Sequence, residues 1–305
     1  GASLEVVVQA LFACGDDLAR TTACRLIAST PFRDVGADAL LKVLGSVAGA
    51  DVTEVLTEIW LSGTQSVPLR EELCRRSGVL DLARRHAFGR GPRRRTERAV
   101  ELLGFLADAE SVAALDDLVA RGRCAITAMD AMVRIADEES ILRLPRHFRL
   151  SHRAPASSFQ ARLGEGIAVF GEPGARLYLD RIQTEVDPHE REYLFATGFC
   201  ATPDMAPEVA ALVVRDELKI CAVSALERMA CPPALAELER LVLQPDSKVR
   251  IRAMQALRRL RPSPSRAKDG YARSGTGAGR LDAWRQVLGS AWVRDDEFSC
   301  RMHTA

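Results

Sequence analysis

The feature that most constrains this chain of 305 residues is an apolar quartet that recurs along it. Its clearest copy is Ala99, Leu102, Leu103 and Leu106, whose spacing of i, i+3, i+4 and i+7 places the four side chains on one stripe of an α-helix. From this copy onward the quartets end at residues 106, 135, 170, 199, 229 and 260, so neighbouring copies lie 29 to 35 residues apart. Such a period suits two helices joined by short turns. The pattern predicts an all-α fold, an α-solenoid of stacked antiparallel helical hairpins.

The copies differ in quality, and we expect about seventeen helices between residues 3 and 260. Two further copies match as well as the first, namely Ala128, Ala131, Met132, Ile135 and Ala222, Ala225, Leu226, Met229. The others are Leu4, Val7, Val8, Leu11; Leu40, Val43, Leu44, Val47; Ala253, Ala256, Leu257, Leu260; the weaker Leu163, Gly166, Ile167, Phe170 and Glu192, Phe195, Ala196, Phe199; and the degenerate Leu69, Glu72, Leu73, Arg76.

Short acidic turns separate the helices of a repeat. Asp108 and Glu110 recur 29 residues later as Asp137 and Glu139. Carboxylates at the start of a helix accept hydrogen bonds from its free N–H groups and face the positive end of its dipole. One such set in each copy favours a turn and capping role over a pair of catalytic acids.

Composition narrows the class of protein. Aromatic residues make up 5% of the chain, and β-branched runs and Asn-Gly turns are almost absent, which disfavours an extensive sheet. No stretch approaches the roughly 18 apolar residues of a membrane span, and Gly1-Ala2-Ser3 does not begin a signal peptide. Eight cysteines without a C-x-x-C pair favour reduced thiols. We therefore expect a cytoplasmic location, with membrane attachment only through a removed upstream segment or a partner.

A family resemblance supports the repeat. The segment Asp246-Ser-Lys-Val249-Arg250, followed by Ala253, Ala256 and Leu257, is similar to the D-x-x-V-R pattern that begins the second helix of a HEAT repeat. Residues 99–115, 128–144 and 222–238 also resemble this family, specifically the short HEAT-like repeats of phycobilisome lyases. The resemblance implies a shape and not an activity.

The repeats predict three regions. Residues 1–260 form the HEAT-like solenoid. Residues 261–280, rich in Pro, Gly and Ser, are predicted to be a flexible insertion or linker. Helical spacing resumes at Leu281, Trp284, Leu288 and Trp292, so residues 281–305 are predicted to begin a further, truncated repeat.

Motifs for catalysis and metal binding were sought without success. His189-Glu190 starts like the zinc-protease motif H-E-x-x-H, but Tyr193 stands where the second His is required. The glycines at 275, 277 and 279 lack the Lys and Ser/Thr of a P-loop, and no G-x-S-x-G elbow occurs. We expect no catalytic residue, no bound metal and no cofactor, and we predict that the chain is not an enzyme.

The most informative charged feature is a tract of arginines. Between residues 84 and 98 there are seven arginines against the single acid Glu97, although the net charge of the chain is only +1. Arginine binds carboxylates and phosphates through a rigid fork of N–H groups. Solvent-exposed helix faces explain the tract too, because arginine is the usual cation of this chain. The candidate partner-binding residues are Arg84, Arg85, Arg90, Arg93, Arg94 and Arg95, the last four in a predicted loop.

Three functions are compatible with these observations. The first is a non-catalytic protein-interaction scaffold or adaptor, whose curved surface and arginine loop hold a protein partner with an acidic surface. The second is a nucleic-acid-binding HEAT-like protein, including the DNA-repair glycosylase type that the resemblance admits. The third, a chromophore lyase, is drawn only from the resemblance. We do not expect a small-molecule ligand.

Overall fold

The computed structural model describes residues 4–28, 47, 49–63, 66–148, 158–184 and 187–260. Within these ranges it contains sixteen α-helices and no β-strand. The chain divides into two compact units, Gly1–Gly166 and Ile167–Ala305. The all-α prediction is confirmed, because each unit is a stack of helical hairpins of the HEAT-like type.

The first unit holds nine helices and the start of a tenth. They are α1 (Leu4–Ala13), α2 (Asp17–Ala28), α3 (Ala50–Ser62), α4 (Val67–Arg75), α5 (Val79–Phe88), α6 (Arg93–Phe105), α7 (Val112–Ala120), α8 (Ala125–Ile135), α9 (Glu138–Arg143) and α10 (Ser158–Ala168). The boundary between the units falls inside α10.

The second unit continues with six helices. They are α11 (Gly171–Thr184), α12 (Glu190–Cys200), α13 (Ala206–Ala211), α14 (Lys219–Met229), α15 (Pro232–Leu241) and α16 (Ser247–Leu260). The predicted quartet Leu40, Val43, Leu44, Val47 falls outside the described residues except for position 47. The predicted linker at 261–280 and the further repeat at 281–305 lie outside them entirely, so the predicted domain bounds stay a prediction.

Hairpins stack through their second helices in both units. In the first unit α5 packs on α6 and α7 on α8, and α6 then packs along α8. In the second unit the hairpins are α11 with α12, α13 with α14 and α15 with α16, and α14 contacts both α12 and α16. The second helices therefore form a layer of their own in each unit.

The apolar quartets are the surfaces through which these layers pack. All four members of the quartet in α8 are buried, and so are Ala222, Ala225 and Leu226 in α14. In the quartet Leu4, Val7, Val8, Leu11 the side chain of Val7 is instead exposed, whereas that of Val8 is buried. Burying such a stripe removes about 0.8 kcal/mol of unfavourable hydration per methylene group, and only a neighbouring helix can cover it.

The quartet predicted in α12 was placed one residue out of register. The buried stripe is Tyr193, Ala196, Thr197 and Cys200, whereas Glu192, Phe195 and Phe199 are only partly buried. Thr197 is tolerated in this stripe because its hydroxyl donates a hydrogen bond to the carbonyl of Tyr193 at 3.0 Å. Phe195 and Phe199 were predicted to lie in the core, but their rings contact the guanidinium group of Arg228.

Two glycines allow the second helices to approach closely. A Cβ atom on Gly104 of α6 would lie 2.8 Å from the Cα of Ala131 in α8. A Cβ atom on Gly198 of α12 would likewise lie 2.8 Å from the Cα of Ala225 in α14. These distances are too short for two carbon atoms, so both helix pairs meet backbone to backbone.

The predicted acidic caps have two different roles. Asp137 accepts a hydrogen bond from the backbone N–H of Ser140 at 2.8 Å and caps α9 as predicted. Asp246 accepts from the N–H of Lys248 at 2.8 Å and caps α16. Asp108 departs from the pattern, because a short 3-10 turn precedes α7 and its buried carboxylate accepts hydrogen bonds from the side chains of Arg84 and Ser111.

No helix within the described residues is both long enough and apolar enough to cross a membrane.

The Gly104→Ala variant tests the close approach. We expect it to lower the free energy of unfolding by about 1–2 kcal/mol, because separating α6 from α8 outweighs the better helix propensity of alanine. Urea unfolding followed by circular dichroism measures this change. Gly91→Ala is the matched control, since nothing lies within 4 Å of its added Cβ atom. Equal losses in both variants would contradict the close approach.

The cap of α16 predicts a pH dependence. The hydrogen bond from Lys219, helped by the N–H groups of Val249 and Lys248, lowers the pKa of Asp246 to about 2. The unfolded chain has the ordinary pKa of about 3.9, so the stabilisation from Asp246 is complete above that value and is lost as pH falls towards 2. We expect the urea midpoint of Asp246→Asn to change less than that of the natural chain over this interval. Identical acid dependence in both proteins would show that this cap does not titrate.

Candidate functional site

The structure places the six predicted arginines on two neighbouring helices and the turn between them. Arg84 and Arg85 lie in α5, and Arg90 lies in the turn. Arg93 and the two arginines after it form the first turn of α6, so they do not belong to a loop as predicted. Helical geometry turns successive side chains by about 100° and sends these arginines in different directions.

Three of these arginines are occupied by carboxylates of the chain itself. Arg84 bonds to the buried Asp108 and, at 2.7 Å, to Glu110. Arg95 donates to both carboxylate oxygens of Glu58 at 2.6 Å, and Arg93 pairs with Glu97 at 2.8 Å. The pairs of Arg84 and Arg95 hold α5 and α6 against neighbouring elements, and all three pairs leave less positive charge for a partner.

The other three are exposed. Arg85, Arg90 and Arg94 have no ion pair with any described residue. Only Arg94 among them lines a concave surface.

That concave surface is a pocket of about 540 Å³ on the first unit. It is lined by the end of α3, the first half of α6 and one face of α8. Its six charged residues are Arg94, Arg98, Arg134, Glu97, Glu101 and Asp130. A pocket of this size and polarity is suited to part of a small hydrophilic ligand.

The carboxylates of the pocket all have partners. Glu97 bonds to Arg93 at 2.8 Å, and Asp130 bonds to Arg162 of α10 at 3.1 Å. Glu101 bonds to Arg98 at 2.9 Å. Two cations of the pocket, Arg94 and Arg134, have no ion pair within the described part of the chain. The lining itself carries equal numbers of arginines and carboxylates, but Arg93 and Arg162 from outside it occupy two of the carboxylates, so Arg94 and Arg134 are left without an acid.

Arg134 is the distinctive residue of the pocket. It lies near the end of α8, is partly buried, and its guanidinium carbon is 4.6 Å from the centre of the Phe105 ring. Arg70 approaches the same ring at 4.9 Å, and Trp60 meets it edge to face with centroids 5.9 Å apart. Burial lowers the pKa of Arg134, and the nearby carboxylate of Asp130 only partly opposes this effect. A cation in this setting has lost water without gaining a carboxylate.

The sequence contained a signal for Arg134 that the quartet analysis missed. Gly104, Phe105 and Arg134 recur 94 positions later as Gly198, Phe199 and Arg228. In the second unit Arg228 again lies over aromatic rings, 5.3 Å from the centre of Phe199. The recurrence of a close-approach glycine, an aromatic residue and an arginine marks these positions, whereas the apolar quartets mark only the core.

Within the described residues, no group of three or more His, Cys, Asp and Glu side chains is arranged to hold a metal ion.

Comparison with known proteins gives likenesses to solved structures. No protein-family model and no curated protein matches the chain. The structure of human deoxyhypusine hydroxylase in complex with glycerol is 17% identical in sequence and aligns over 83% of this chain and 96% of that chain, with a TM-score of 0.28. At this level the likeness assigns neither ligand nor activity.

The likeness corrects the first functional prediction. Helical repeats without a catalytic motif were interpreted as a non-catalytic scaffold, whereas one of the solved structures that match the chain is that of an enzyme. A helical-repeat fold without a catalytic motif therefore does not imply a non-catalytic scaffold, and the scaffold prediction is wrong. The arginine loop on which it relied is also a helix, with three of its six residues paired internally.

Stability distinguishes the structural arginines from those of the pocket. We expect Arg84→Met to lower the free energy of unfolding by about 2–4 kcal/mol, because it leaves the buried carboxylate of Asp108 without its cation. We expect Arg134→Met to change it by less than about 1 kcal/mol, because the lost cation–π contact is offset by removing a desolvated charge. Urea unfolding of both variants measures the difference, and a larger loss for Arg134→Met would reverse the assignment.

Proposed function

We propose that this chain binds a small polar molecule through a carboxylate or phosphate group, held in the pocket of the first unit. The observation that supports the proposal is the partly buried guanidinium of Arg134, which lines the pocket and has no ion pair among the described residues. An unpaired cation of this kind gains more from an oxyanion than an exposed arginine does, because little water remains to compete.

Arg94 supplies a second point of attachment. It is exposed at the start of α6 and lines the same pocket as Arg134 on α8. Arg94 precedes Phe105 by eleven residues, or about 16 Å along the axis of α6, so it can hold a second polar group of the ligand at a distance from Arg134. The backbone contact at Gly104 keeps the two helices in place.

The same geometry limits the ligand. Glu97, Glu101 and Asp130 line the pocket beside the two free cations and repel a body with many negative charges. Ser62 and Thr127 add hydroxyl groups that can donate or accept hydrogen bonds. The pocket therefore favours one anionic group on an otherwise neutral or cationic polar body.

This proposal differs from the acidic protein surface that the sequence predicted as partner. Arg84, Arg93 and Arg95, which were expected to meet that surface, are engaged by carboxylates of the chain. A concave volume of about 540 Å³, partly open to solvent, is of the size that small ligands occupy.

Isothermal titration of the full chain with succinate and with inorganic phosphate tests the proposal. We expect one of the two to bind, which also identifies the preferred oxyanion, and we expect Arg134→Met to weaken binding at least tenfold, or about 1.4 kcal/mol. Arg94→Met should weaken it by a smaller factor.

The matched control is Arg121→Met. Arg121 is exposed at the end of α7, pairs with Asp117 at 2.7 Å and lies outside the pocket. We expect this variant to bind like the natural chain. The proposal fails if neither anion binds up to about 10 mM, or if Arg121→Met and Arg134→Met lose affinity equally.

A further inference from the structure

We infer that the second unit has its own oxyanion site, at Arg228 between α12 and α14, and that it takes an anion attached to an aromatic or apolar group. The guanidinium carbon of Arg228 lies 3.6 Å from the centre of the Phe195 ring and 5.3 Å from that of Phe199. The two rings are 5.8 Å apart and tilted by 59°, so together they form an aromatic wall beside the cation.

The charges around Arg228 are unbalanced. Glu227 is shared between Arg252 at 3.1 Å and Arg259 at 3.0 Å, both on α16. Arg228 has no ion pair within the described residues, and one of its nitrogens donates to the carbonyl of Ser224 at 2.9 Å. Glu227 is thus engaged by two arginines of α16 and leaves Arg228 without a carboxylate.

Part of this excess charge is buried. Burial lowers the pKa of Arg228 to about 10, and the nearby Glu227 opposes this only in part. The Nε atom of Arg252 is also buried and has no hydrogen-bond partner in the described structure. A buried N–H group without a partner is unfavourable, and an oxyanion bound beside it would supply an acceptor.

Comparison with the first unit shows why the ligand should differ. Arg228 lies 94 positions after Arg134, and the glycine contact beneath each arginine is the same. Two acids near Arg134, namely Glu101 and Asp130, correspond to Phe195 and Ser224. The second site has therefore exchanged two carboxylates for an aromatic ring and a hydroxyl group, which removes repulsion and adds an apolar contact.

An aryl carboxylate meets these requirements. Its carboxylate can bond to the edge of the Arg228 guanidinium, whose face is covered by Phe195, and its ring can pack against Phe199. The site does not depend on the pocket proposed above, because the two share no residue.

Cys221 provides a local reporter of occupancy. It is partly buried on α14, and this burial raises the pKa of its thiol; the charges of Arg191, Glu192 and Arg228 also act on it. A ligand at Arg228 should shield this thiol from iodoacetamide, whereas the exposed Cys14 and Cys74 in the first unit should react at an unchanged rate.

The experiment uses the full chain with 2-naphthoate, 2-naphthyl phosphate and acetate. We expect at least one naphthyl compound to bind by isothermal titration at least tenfold more tightly than acetate, and to slow alkylation of Cys221 at least threefold by peptide mass spectrometry. The two naphthyl compounds distinguish a carboxylate from a phosphate preference.

Variants locate the binding. We expect Arg228→Met to weaken naphthyl binding at least tenfold and Phe195→Ala to weaken it at least threefold. Arg228→Lys should weaken it too, because lysine keeps the charge but lacks the planar fork of N–H groups. Arg134→Met in the other unit and the exposed Arg240→Met on α15 should bind normally. Circular dichroism tests whether each variant is folded. If Arg228→Met does not fold, Arg228→Lys takes its place in the binding test.

Three results would overturn the inference. They are no naphthyl binding, affinities of both naphthyl compounds no higher than that of acetate, and undiminished binding or Cys221 protection in folded Arg228 variants. Loss of binding in Arg134→Met alone would move the naphthyl site to the first unit and refute it here, while leaving the proposed function intact.

Discussion

Burial of an apolar stripe between consecutive second helices is the interaction on which the structure depends. No hairpin can cover the stripe of Ala128, Ala131 and Met132 from water without its neighbour, so the stack and the hairpin form together. Small residues at the contact set its distance. Gly104 against Ala131, and Gly198 against Ala225, bring the backbones together and leave the side chains around them to fill the edges of the layer.

The arginines divide according to what this packing offers them. Arg84 reaches a buried carboxylate from the outer helix of its hairpin and so fixes α5 to the turn before α7. Arg134 and Arg228 follow the close-packed alanines by three residues, which places them over the aromatic residue next to the facing glycine. A guanidinium stacked on a ring keeps its N–H edge available, whereas one enclosed by a carboxylate does not. Position in the repeat, more than local density of charge, separates binding candidates from structural pairs.

The two units use one packing device for two chemical environments. Around Arg134 the neighbouring positions are acidic, which gives a hydrophilic pocket of mixed charge. Around Arg228 they are aromatic and small, which gives a cationic surface with an apolar wall. Because the backbone contact beneath each arginine is alike, the flanking positions decide the kind of ligand that each site favours: Glu101 and Asp130 are replaced by Phe195 and Ser224, and Arg98 by Glu192.

The sequence by itself determined the fold class, most helix bounds and most buried stripes, because apolar spacing depends only on the 3.6-residue turn of a helix. It also identified the capping role of Asp137, since this cap is a contact between residues three apart. Tertiary structure decided the register of α12, where a threonine is buried and two phenylalanines are not. It likewise decided which arginines are free, because the acids that pair with Arg84 and Arg95 lie 24 and 37 residues away along the chain. Contacts over such distances follow from how hairpins stack, and no local pattern of residues encodes them.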